Sequence, residues 1–110
     1  MKQGEIWYVD LAPVKGSEQS GFRPVVIISG NLLNTHAPVI ICCPLTTKIK
    51  NYKGNIILEP NSKNGLKLQS EALTFHVRSI DKKRLVEKIG TIPVDSVKQI
   101  ITTLNDLLKY

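Results

Sequence analysis

Hydrophobic and polar positions divide the chain into short runs and one long closing segment. Residues 5–11 (EIWYVDL) alternate and carry two aromatics, which predicts a strand. Residues 12–23 form the longest stretch without a regular pattern and predict a loop. Loops of that length inside a small domain often serve function. Residues 24–29 (PVVIIS) predict a buried strand with Pro24 at its first position, where a missing N–H is tolerated. Residues 30–38 predict a turn or a single helical turn. Residues 39–45 (VIICCPL) predict a second buried strand, followed by a basic loop over 46–55. A short strand at 56–59, a turn at 60–65 and an alternating strand at 67–77 come next. Residues 79–85 predict one helical turn with Ser79 as its N-cap, and 86–92 a last strand.

The ending is the strongest local signal. After Pro93, apolar residues fall at Val94, Val97, Ile100, Ile101, Leu104, Leu107 and Leu108, the spacing of one helix face. Asp95 in the first turn and Lys109 in the last suit the helix dipole. Many short strands and one closing helix predict a mainly β fold with α, a small, strongly curved antiparallel sheet or barrel carrying the helix. At 110 residues the chain is one domain with a modest core, a size that gains from a partner subunit or ligand. No apolar run approaches the roughly 20 residues of a membrane helix. The N-terminus has no signal-peptide pattern, so a cytoplasmic protein without a membrane partner is expected.

Charge changes the picture. The formal net charge is +6, which raises the prospect of a polyanionic partner. Lys48, Lys50 and Lys53 cluster after the third apolar run. Arg78, Lys82, Lys83, Arg84 and Lys88 form a second cluster. Either set would equally serve as a solvated surface. Cys42 and Cys43 are adjacent, so on a strand they point to opposite faces and read as small buried hydrophobes. No metal motif is present: His36 and His76 lie far apart with no ligand partners at metal spacing. No phosphate-binding glycine loop and no Gly-x-Ser-x-Gly elbow appear.

What remains are polar groups at the ends of buried strands. Arg23 precedes one such strand, and Thr46 and Thr47 end the other. If those strands are neighbours, Arg23 and Thr46 would share a groove. A guanidinium offers a planar fork of donors that matches a phosphate, and a hydroxyl adds a directional hydrogen bond. Such a pair can favour the extra charge of a pentavalent transition state. Spacing alone leaves other readings open: an ion pair of Arg23 with Glu18, and a turn hydroxyl at Thr46.

The run GEIWYVDLAPVKGSEQSGFRPVVIIS, then CCPLTTKIKNY, then VRSIDKKRLVEKIGTI before the terminal helix resembles the MazF/PemK family of toxin endoribonucleases. The resemblance spans nearly the whole chain. It implies an SH3-like barrel with a C-terminal helix, paired as a two-fold homodimer. It also implies cleavage of single-stranded RNA, often mRNA, at a short sequence, without metal or cofactor. The substrate's own 2′-OH would attack, leaving a 2′,3′-cyclic phosphate and a 5′-OH. The family arginine falls on Arg23, its strand-end threonine on Thr46 and its acidic loop residue on Glu18. Gln19, Thr47, Lys48, Lys50, His76 and Arg78 are the expected RNA contacts. A cognate antitoxin would lay an acidic tail across the same groove. One departure stands out: Phe75 and His76 occupy positions where the family commonly has an acidic residue and a glutamine. His76 is either a packed strand residue or a group that stacks on, or hydrogen-bonds to, a base.

Arginine is a poor base, so Arg23 is expected to act as an electrostatic clamp, Thr46 to orient the phosphate, and Glu18 to be the candidate base. Two other readings share this sequence. One is a non-catalytic toxin of the same fold that poisons DNA gyrase, and the other is an RNA-binding module without cleavage.

Overall fold

The long apolar run of the central strand reads as continuous because both of its faces are covered. The computed structural model describes residues 1–11 and 22–109. Its strands are β1 (Glu5–Asp10), β2 (Phe22–Ile27), β3 (Val39–Thr46), β4 (Ile57–Leu58), β5 (Ser70–Ala72), β6 (Arg78–Asp81) and β7 (Leu85–Thr91). The helices are α1 (Asn31–His36) and α2 (Val94–Leu107), and two 3-10 turns span Thr74–His76 and Lys82–Arg84. The strands pair antiparallel in the order β4-β5-β3-β2-β1-β7, with β6 also on β3, giving a curled mainly β sheet closed by α2.

Alternation along β2 and β3 sends neighbouring side chains to two apolar clusters. Val26, Cys43 and Leu45 join Ile6 and the α2 residues Val97 and Ile100 in one. Val25, Ile27, Ile40 and Cys42 join Val9 and Ile80 in the other. The two cysteines therefore face opposite ways. Burial pushes both thiols up to about 12, and Arg78 pulls only weakly against that at Cys42. Both are inert core residues.

Pro44 sits inside this central strand, where proline is normally excluded. Its carbonyl accepts from Leu73 N–H at 2.9 Å. In an antiparallel strand the N–H and C=O of one residue point to the same side. The missing N–H of Pro44 therefore falls on the flank where β5 has ended, β6 has not begun, and the first 3-10 turn crosses. The proline marks the break between two partners of one strand.

Several expectations need correcting. Arg23 is not the end of a loop but the second residue of β2, paired with Val9, and Pro24 is third, paired with Tyr8. The strand expected over 67–77 is only Ser70–Ala72; the N–H that Pro44 lacks ends the ladder there, and the chain passes into the 3-10 turn Thr74–His76. Ser79 caps no helix. It lies in β6 opposite Ile41, and the turn begins after Asp81, whose carboxylate accepts from Lys83 N–H at 2.8 Å. Leu107 and Leu108, expected on the buried face of the closing helix, are exposed, and Lys109 lies beyond its last turn, paired with Asp106 at 3.2 Å. Buried Thr103 instead faces inward and donates to Gly54 O at 2.6 Å. Among the described residues, no helix is long and apolar enough to cross a membrane.

Candidate active site

β2 and β3 pair as Val25 with Pro44, Val26 with Cys43 and Ile27 with Cys42. Carried further along both strands, that register sets Arg23 across from Thr46. Directly opposed residues share a face, so the continued ladder would put the guanidinium and the hydroxyl on one face at the sheet's end. Arg23 Nη2 reaches the Leu45 carbonyl at 3.4 Å, which holds the fork at the β3 terminus. The side chain is half-buried, and burial lowers its pKa from the ordinary arginine value. A guanidinium remains a cation across the physiological range even so.

Thr46 has a partner on its other side too. β5 pairs with β3 through Leu45–Ala72 and Thr46–Glu71. Glu71, Thr46 and Arg23 thus form a row across three strands. The Thr46 hydroxyl oxygen accepts from Lys48 N–H at 3.1 Å, a local turn that leaves its O–H to donate elsewhere.

Glu71 is fully buried (0% exposed), yet it is not a site acid or base. Its Oε1 accepts the N–H groups of Lys50 and Asn51 at 2.7 and 2.8 Å, and its Oε2 accepts Tyr52 N–H and Asn55 Nδ2 at 2.9 Å each. Asn51 takes a positive φ of 56°, which lets successive N–H groups converge on one anion. Burial raises the Glu71 pKa. The Asn55 amide and the N–H groups of Asn51, Lys50 and Tyr52 outweigh it and hold the carboxyl below its ordinary 4.5. The charged side chain folds the basic loop over the Thr46 end of the sheet. Gly54 closes that loop at φ 92°, against Thr103 of α2.

Thr47, Lys48 and Lys50 are all exposed on this loop. Arg78 is exposed at the start of β6, opposite Cys42, on the sheet face that carries Arg23 and Thr46. His76 is exposed in the 3-10 turn, its ring 4.6 Å from that of Phe75, so the packed-strand reading is wrong. Glu18 and Gln19 lie outside the described residues. The second basic cluster separates from the first. Lys82 Nζ donates to Asn34 O, Arg84 Nη1 to Asp10 O at 3.0 Å, and Lys88 pairs with Glu5 at 3.3 Å. These cations tie the sheet together. A pocket of about 310 Å³ lined by Tyr8, Phe22, Val86 and Glu87 opens on the face of β2 opposite Arg23 and is not part of this row. Among the described residues, no group of three His, Cys, Asp or Glu side chains could hold a metal.

Sequence reading missed Glu71, Asn55 and Thr103. Their partners lie far along the chain and no local motif marks them.

A curled sheet with a strand-end cation and hydroxyl beside a basic loop defines the class: a small, mainly β protein with a basic site at the end of its central strands. The family described as "PemK-like, MazF-like toxin of type II toxin-antitoxin system" matches residues 2–108, and the chain belongs to it. Endoribonuclease MazF of Staphylococcus saprophyticus is 37% identical over 101 residues, 91% of this chain and 84% of its own. Endoribonuclease EndoA of Bacillus subtilis is 35% identical over 113 residues, 96% of this chain and 97% of its own. Crystal structures of MazF and of MazE-MazF from Deinococcus radiodurans are each 28% identical to this chain with a TM-score of 0.81. They cover 98% of it and 96% and 95% of their own chains.

Proposed function

We propose that this chain is an RNA-cleaving toxin that cuts single-stranded RNA within a short sequence. The observation that carries the reading is the reach of Arg23 Nη2 to the Leu45 carbonyl, next to Thr46 at the end of β3 and beside an exposed lysine loop. The relatives named as endoribonucleases support it at 37% and 35% identity. The 2′-OH of the nucleotide before the cut attacks its own 3′-phosphate in line, and the bond to the 5′-oxygen breaks. The ends are a 2′,3′-cyclic phosphate and a 5′-OH, with no metal in the cycle. Arg23 clamps the non-bridging oxygens as charge grows on the pentavalent phosphorus. Thr46 donates its hydroxyl to the same phosphate. Glu18 takes the proton from the 2′-OH, and the departing 5′-oxygen takes one from Arg23, which water restores; Glu71 is unsuited to the base's task because four donors already occupy it. Gln19, Thr47, Lys48, Lys50, His76 and Arg78 hold the strand.

A cognate antitoxin with an acidic segment is the proposed inhibitor, supported by the Deinococcus radiodurans MazE-MazF structure and the basic loop. The working unit is a homodimer in the cytoplasm. Incubation in EDTA with a single-stranded RNA, beside a 2′-deoxy copy, tests the reading. Cutting confined to the ribose strand is expected. Retention of uncut RNA would replace cleavage with a binding module, and inertness towards both would favour a gyrase poison.

A further inference from the structure

Three rings stand together on the surface above the Glu71 cradle. Tyr52 and Phe75 meet edge to face at 5.1 Å and 86°, and the rings of Phe75 and His76 lie 4.6 Å apart at 56°. Tyr52 is 49% and Phe75 50% exposed, unusual for rings this large. They come from segments far apart in sequence, yet both are fixed. Tyr52 is pinned through its own N–H to Glu71. Asn55 donates to the same carboxylate and accepts from Thr74 N–H at 3.4 Å, so the loop and the 3-10 turn are tied together. α2 holds the loop's far end through Thr103 and Gly54. Exposed Lys48, Lys50 and Lys53 lie on the same loop, and Arg78 follows the turn.

We infer that Tyr52, Phe75 and His76 form a stacking shelf for one unpaired base of single-stranded RNA, beside the phosphate held by Arg23 and Thr46. The inference rests on the RNA-cleaving reading above. Pre-fixed aromatic faces bordered by lysines are what a splayed nucleotide needs: every base has a π-face to stack, and the cations meet its phosphates. Phe75 supplies the apolar face, Tyr52 braces it edge-on, and His76 adds a group able to hydrogen-bond to a base edge. Glu71 is a positioning residue that sets where the shelf stands relative to Thr46. A purely structural Tyr52–Phe75 contact would stabilise the loop but would carry no dependence on the base presented to it.

The test uses an RNA whose cut site has been mapped on the wild-type protein. A strand spanning that site, with 2′-deoxy at the scissile position, is made in versions carrying one abasic nucleotide at each place in turn. Binding is measured for wild type, Phe75→Leu, Tyr52→Leu and Phe75→Trp, with thermal melts confirming that each is folded. The expected result is a single abasic position that weakens wild-type binding on the order of 10-fold or more but leaves Phe75→Leu unmoved. Phe75→Leu should lose a similar factor on the intact strand, and Phe75→Trp should retain affinity. Variants that bind every strand as wild type does, or that lose the same factor at every abasic position, would overturn the shelf. The wild type would then still cut RNA through Arg23, so the function would stand without it. A wild type that neither cuts nor binds RNA would overturn both.

Discussion

The two halves of the site are built by different means. Arg23 and Thr46 are strand residues, placed by the register of β2 and β3 and backed by Val25, Leu45 and Cys42 of the apolar clusters. The basic loop and the aromatic turn have no ladder of their own; they are held by one buried carboxylate and its four donors. A strand end fixes an atom through covalent geometry and packing, which suits groups that must meet a reacting phosphorus. A loop gathered on a side chain can change its outward residues without disturbing that register. Phe75 and His76 lie on this second half, both exposed in the 3-10 turn. Such a division predicts that chemistry and base preference can be altered separately.

The largest effect should come from the strand half. Arg23→Lys keeps a cation but loses the planar fork, and the cleavage rate should fall on the order of 100- to 1,000-fold with RNA binding little changed. A single-turnover assay at saturating protein reads this directly. Thr46→Ala removes one donor to a charged oxygen and frees Lys48 N–H; a loss of about 10- to 100-fold is expected in the same assay.

Glu71→Gln strikes the loop half. It removes a charge and sets an amide N–H against donors, so the melting temperature should drop by several degrees. Affinity for RNA should fall further than the single-turnover rate at saturation. The pH dependence has a definite sign. The folded carboxyl titrates below its ordinary 4.5, so its contribution is full above that value and lost as pH falls through the lower folded pKa. Wild-type stability should therefore decline from about pH 5 downward more steeply than that of Glu71→Gln. Parallel acid profiles for the two proteins would show that Glu71 is not the anion holding the loop.

The smallest effects belong to the lysines. Lys48→Gln or Lys50→Gln should weaken RNA binding modestly and lower the slope of log Kd against log salt by roughly 0.7 each. Lys82→Gln, by contrast, should leave that slope unchanged and lower stability slightly, because this cation serves the Asn34 carbonyl.

The same contrast explains what could be read from the chain. The strands at EIWYVD, FRPVVI and VIICCPLT follow from apolar runs that one or two covered faces require, and α2 from its 3.6-residue spacing. Arg23 and Thr46 stood out because each borders such a run. Glu71 did not, because its role depends on backbone N–H groups about twenty residues away, folded onto it by a positive φ at Asn51. The 67–77 segment looked like one strand because alternation there is good. The interruption comes from Pro44 on a different strand, which denies the partner an N–H. Likewise the lysine and arginine runs looked alike in composition, but only partners contributed by α1 and β1 reveal that several of the later cations are structural.

The central claim, that Arg23 and Thr46 act on one phosphate, is most directly tested by a double-mutant cycle on the cleavage step. Single-turnover rates are compared for wild type, Arg23→Ala, Thr46→Ala and the double variant, with RNA saturated throughout. If both side chains serve one phosphate, the double variant should be scarcely slower than Arg23→Ala alone. A double variant slowed by the full product of the two single losses would mean that they act independently, and would contradict the account.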